Sequence, residues 1–105
     1  MEEKIVEWSF SALEMLSEVY DYLAEYSEIS AEKYVDELLE YSRRLEKYPE
    51  SCAPCRNNAL REAGLRCCKF KKHIIVYEIL PSKVAILAVI HSSRNPDDLA
   101  GIVGI

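Results

Sequence analysis

Two runs rich in β-branched and aromatic residues, His73–Leu80 and Lys83–Ile90, are separated only by Pro81-Ser82. Such side chains sit well on a pleated surface, and proline has no N–H to continue a ladder, so the pair predicts two strands joined by a tight reversal. Leu65–Phe70 is a shorter, mixed third candidate, joined to the second through a turn at Lys71-Lys72. These strands need an apolar cover, and the first half of the chain has the periodicity to supply one.

Ile5–Trp8 reads as a short opening strand. Ser9 or Ser11 follows as a helix cap, and Ser11 with Glu14 fits a capping box, in which hydroxyl and carboxylate satisfy each other's free backbone N–H. Leu13, Leu16, Tyr20 and Leu23 then recur at helical spacing, with Ala12 and Val19 widening the stripe, until the pattern runs out near Tyr26. Ser30 is the next cap. Tyr34, Val35, Leu38, Ser42 and Leu45 share one face of a second helix, which Pro49 stops. The short connection predicts an antiparallel helical hairpin. Residues 50–64 read as an irregular loop with one helical turn at Asn58–Ala63. The expected fold is α+β with the order β-α-α-β-β-β: an N-terminal strand and a helical hairpin packed on a small, mostly antiparallel, four-stranded sheet.

The length of 105 residues allows one domain, 1–105, with a weakly structured tail at 95–105. Thirteen Lys and Arg against 18 Asp and Glu leave a formal charge of −5, which argues against broad wrapping of nucleic acid. The charge is polarised: acids crowd the helical half, whereas Arg56, Arg61, Arg66, Lys69, Lys71 and Lys72 gather before the hairpin. The opening MEEKIVEW is acidic and unlike a signal peptide, and the apolar run Val84–Ile90 is far short of a membrane span. No membrane association is expected, and the cytoplasm is the expected compartment.

Four cysteines stand at 52, 55, 67 and 68. Cys52, Cys55 and Cys67 would give zinc three thiolates, but adjacent Cys67 and Cys68 point to opposite faces of a strand, and a fourth ligand is missing. A redox C-x-x-C belongs at a helix start after a strand, whereas Cys52-x-x-Cys55 lies in a loop. The expectation is unpaired thiols, one of them filling core, with a zinc site and a regulatory disulfide as alternatives and no cofactor.

Taken in order, IVEWSFSALEMLSEVYDYL, YVDELLEYSRRLEKYPE, ALREAGLRCCKFKKHIIVYEIL and VAILAVIHSSRNPDDL resemble the successive segments of the RelE/ParE superfamily of type II toxin–antitoxin toxins, and the ParE branch more closely. The resemblance covers residues 5–98. It implies a helical hairpin against a four-stranded sheet and neutralisation by a co-encoded antitoxin, with a higher-order toxin–antitoxin complex possible. It also implies one of two targets: DNA gyrase for ParE-like members, the ribosome and its mRNA for RelE-like ones. Arg66 matches an arginine opening the family's second strand, Arg94 a basic residue after the last strand, and His73 and His91 positions common in ParE-like chains. These four are the candidates for contact with target or antitoxin. Ile74 stands where mRNA-cleaving members carry arginine, and the tail has neither Tyr nor His. Cleavage needs an acid–base pair and a cation for the phosphorane, so the expectation is a binding inhibitor of gyrase without catalysis of its own. A ribosome-dependent mRNA endonuclease and an inactive interaction domain are the alternatives.

Overall fold

The computed structural model describes residues 3–94 together with Asp98 and Gly101. The tail expected to be weakly structured therefore lies almost entirely outside the described residues.

β1 (Ile5–Trp8) passes directly into α1 (Phe10–Ala24). Ser9 makes the junction: it is extended, and its hydroxyl accepts from the Ala12 N–H at 3.0 Å. The expected Ser11–Glu14 box is not the start of the helix, because pairing of β1 ends at Trp8 and leaves Ser9 as the first residue free to cap. α2 (Glu28–Arg43) begins one turn earlier than expected. Ser27, not Ser30, is its cap, accepting from the Ser30 N–H at 3.2 Å. Regular helix ends at Arg43, and a 3-10 turn at Arg44–Glu46 carries the chain toward Pro49. The residue before a proline disfavours helical backbone, so the winding stops short of it.

Past a loop, α3 (Asn58–Glu62) is capped by Asn57, whose carbonyl oxygen accepts from the Leu60 N–H. Gly64 at φ 82° takes the left-handed conformation that closes the turn into β2 (Leu65–Phe70). Lys71, also left-handed at φ 51°, makes the two-residue turn into β3 (His73–Ile79), and β4 (Lys83–His91) is the last strand among the described residues.

The sheet order is β1-β4-β3-β2. β2–β3 and β3–β4 are antiparallel hairpins, and β1 lies parallel to β4, with Ile5 opposite Lys83 and Trp8 opposite Ile86. This is the expected α+β arrangement. One face carries the helical hairpin: Ala12, Leu16, Leu38 and Leu45 meet Ile75, Tyr77, Val84, Ile86 and Val89. The other face is covered by α3 and the loop, where Leu60 and Cys55 meet Val76, Ala88 and Ile90.

Register slips by one residue in the middle of β4. Val76 faces Ala88 and Tyr77 faces Ile86, so Leu87 has no partner. Such a bulge reverses the alternation beyond it. Val84 and Ile86 face the helices before it; Val89 does so after it. His91, two residues further on, is thereby turned to the helical side, opposite His73.

The cysteines correct the expectation of unpaired thiols. Cys52 is bonded to Cys68 and Cys55 to Cys67, and no free cysteine is left. The reason is an edge pairing that loop composition does not announce. Residues 53–55 run beside β2, with the Cys55 N–H on the Leu65 carbonyl (3.0 Å) and the Cys67 N–H on the Ala53 carbonyl (3.2 Å). Facing Cα atoms thus lie 5.3 and 5.0 Å apart, within disulfide reach. The opposite orientations of Cys67 and Cys68 give one bridge to each face of the sheet: Cys68 joins the helix-side core and Cys55 the other. Cys52, Cys55 and Cys67 are thus committed to sulfur partners rather than available as zinc thiolates. Among the described residues no helix is long and apolar enough to cross a membrane.

Candidate binding groove

Beside α1, where β3 begins and β4 ends, a groove of about 660 Å³ opens to solvent. Its helical wall carries Ser11, Glu14, Glu18 and Tyr22 above the apolar Met15 and Val19. Its strand wall carries Val89 and Ile90, then His91, Ser93 and Arg94, with His73 at the back. Amphipathicity explains the first wall: Ala12 and Leu16 bury the core stripe of α1, and the wall residues lie to one side of it. The second wall depends on the β4 bulge, which brings His91 to this side.

The two imidazoles are edge to face, with ring centroids 5.3 Å apart. His73 is 9 % exposed, and its Nδ1 lies 2.6 Å from the Tyr34 hydroxyl. Burial, and then the neighbouring His91, push the His73 pKa below its ordinary value. Burial raises the Tyr34 phenol, against the opposing pull of the Lys72 backbone and the Lys71 ammonium. In the neutral tautomer that carries its proton on Nε2, the Tyr34 hydroxyl donates and His73 Nδ1 accepts. His91 is exposed. Its Nδ1 accepts from the Ser93 N–H at 3.1 Å and lies 2.7 Å from the Ser93 hydroxyl, which leaves Nε2 to carry the proton in the neutral ring.

Arg94 is exposed at the mouth, and its backbone N–H closes a turn onto the His91 carbonyl at 3.0 Å. Its guanidinium makes no ion pair among the described residues. Of the four sequence candidates the fold thus gathers His73, His91 and Arg94. Arg66 is elsewhere, on β2, where it donates to the Cys52 carbonyl at 2.7 Å and pins the loop. Sequence reasoning missed Glu14, Glu18, Tyr22 and Ser93 as groove residues, and Tyr34 as the partner of His73. A Tyr34–His73 contact spans 39 positions and leaves no local pattern to find.

The groove presents an apolar lining, a buried imidazole, an exposed imidazole and the carboxylates of Glu14 and Glu18, with a guanidinium, that of Arg94, which makes no ion pair among the described residues. The buried histidine has a measurable consequence. Because its folded pKa lies below the unfolded value near 6.5, its contribution to stability is complete above that pH. It is lost as pH falls through the window beneath, where the unfolded chain binds the proton first. The urea midpoint is expected to drop between about pH 7.5 and about pH 5, and His73→Gln to remove part of that drop. An unchanged pH profile in the variant would mean that His73 does not titrate differently on folding.

A family model described as the ParE toxin of type II toxin–antitoxin system, parDE, matches residues 6–96. Among solved structures, a chain of the chromosomal ParDE TA system from P. aeruginosa shares the fold with a TM-score of 0.72. At 17 % identity the superposition covers 85 % of this chain and 96 % of that one, and a likeness so distant in sequence speaks to architecture alone. No curated protein sequence matches significantly.

Proposed function

Because the chain belongs to the ParE toxin family of type II toxin–antitoxin systems, we propose that it binds and inhibits DNA gyrase and is held inactive by a co-encoded antitoxin. The observation that carries this reading is the family match over residues 6–96. The groove supplies it with a surface. Arg94 and His91 are exposed at its mouth and offer a guanidinium and an imidazole to a partner's carboxylates or backbone carbonyls. His73, nearly buried and held by Tyr34, supports His91 from behind rather than meeting the partner itself. Arg66 acts on the far side of the sheet's hairpin by holding the loop. The cytoplasm, where gyrase and antitoxin are found together, is the compartment this reading requires.

The test is supercoiling of relaxed plasmid by purified gyrase in the presence of this chain. The expected result is loss of supercoiling, restored by adding the antitoxin encoded beside it, and weakened by Arg94→Ala. Unimpaired supercoiling together with ribosome-dependent cleavage of mRNA would replace this reading with the endonuclease one. Neither activity from folded protein would leave an interaction domain.

A further inference from the structure

Between Lys4 and Lys33 the chain contains no Lys or Arg, and in that interval it places Glu7, Glu14, Glu18, Asp21, Glu25, Glu28 and Glu32. The whole of α1 and the turn into α2 fall within it. Among the described residues no ion pair engages Glu14, Glu18, Asp21 or Glu25. Their field is felt locally: the Tyr20 phenol is held above its ordinary pKa by burial and then by Glu32, Glu28 and Asp21.

The same surface is apolar where it is not charged. Tyr22 and Tyr26 stack edge to face at 5.9 Å and are 61 % and 77 % exposed, and Ile29 beyond them is 82 % exposed. Tyr22 continues this patch into the groove, whose apolar lining on the helix side is Met15, Val19 and Val89. Large aromatic and aliphatic side chains left open beside a concave apolar lining mark a surface that another chain covers.

We propose that this acidic, aromatic wall of the groove is the seat of a basic segment of the antitoxin, with Lys or Arg set against Glu14 and Glu18 and an apolar side chain on the apolar lining between them. The inference rests on the toxin–antitoxin reading above and adds the chemistry of the partner to it. Charge complementarity selects the occupant. A second copy of this chain would bring the same carboxylates against themselves, and nucleic acid would bring phosphates. The chain's own tail carries Asp97 and Asp98 and no cation after Arg94. A cationic stem is also suited to the tyrosines, which attract ammonium and guanidinium groups to their ring faces.

The test measures binding of the co-encoded antitoxin to the full-length chain at low and high salt, in wild type and in two charge-reversed forms. One is Glu14→Lys with Glu18→Lys. The control is Asp36→Lys with Glu40→Lys, exposed acids of α2 outside the groove. All four positions are exposed, and circular dichroism checks that both variants fold. The expected result is about a tenfold loss of affinity or more for the groove variant, a similar loss in high salt, and little change for the control. Equal affinity of wild type and groove variant would overturn the inference and leave the toxin–antitoxin reading standing. No binding by the wild type would instead sink that reading. Self-association of the wild type, abolished by the groove reversal, would assign the face to a second copy and overturn the inference likewise.

Discussion

Replacing all four cysteines by serine is expected to lower stability by about 3–5 kcal/mol, while the groove keeps its shape. Each bridge closes a short loop, 16 residues for Cys52–Cys68 and 12 for Cys55–Cys67. In the chain-entropy account a loop of that length contributes about 3 kcal/mol by restricting the unfolded state. The loops are nested, so the second adds less than the first. Noncovalent contacts keep part of the attachment: Arg66 on the Cys52 carbonyl and the Tyr77 hydroxyl donating to the Pro49 carbonyl at 2.6 Å. Denaturant midpoints of oxidised, reduced and serine-substituted protein would measure the loss. Identical midpoints would show that these other contacts hold the loop unaided. Because α1 and β4, rather than β2, build the groove, partner binding well below the melting transition is expected to survive. In a reducing compartment thiols are kept open, and the chain would there live with the lower stability.

Leu38→Ala is expected to cost about 2–5 kcal/mol, a large part of the 5–15 kcal/mol that holds a typical small fold. Leu38 is wholly buried at the middle of α2, in the helix-side core with Leu16, Leu45, Ile75 and Tyr77. Truncation removes its transfer free energy and leaves a cavity that helix and sheet cannot collapse around without losing their other contacts. For a chain of this size the melting temperature should fall by roughly 10–30 °C. Leu13→Ala is the matched control. Leu13 is 49 % exposed on α1, and its loss should stay within about 0.5 kcal/mol. Equal effects from the two would mean that α2 is not seated on the sheet through Leu38.

The legible parts of this molecule are those set by local chemistry. His73–Ile79 and Lys83–His91 are dense in β-branched residues, and the strands are where that density lies. Leu38, Ser42 and Leu45 recur at helical spacing and are all buried. Serine is abundant, so caps are poorly marked: Ser9 or Ser11 and then Ser30 are expected, Ser9 and Ser27 are found, and the neighbouring strand or turn decides which is free to cap. The disulfides were hidden because they follow from pairing between a loop and an edge strand, which is a long-range event. The bulge was hidden for a different reason. Val84–Ile90 is apolar throughout, so no alternation marks where the extra residue lies or which face His91 takes. The candidate site suffers most from this, since its strand wall is aimed by Leu87 and its helical wall by acids that look like any solvated face.

The parallel pairing of β1 with β4 has a consequence in time. A ribosome makes Ile5 long before it makes Lys83, yet the two are neighbours in the finished sheet. Until β4 emerges, β1 has no strand to lie against, and the acids of α1 have no opposite wall. The sheet and the groove are therefore completed by the same late segment, so a nascent or prematurely ended chain presents neither. Whatever this surface binds, it can meet only a molecule whose β4 has already been made.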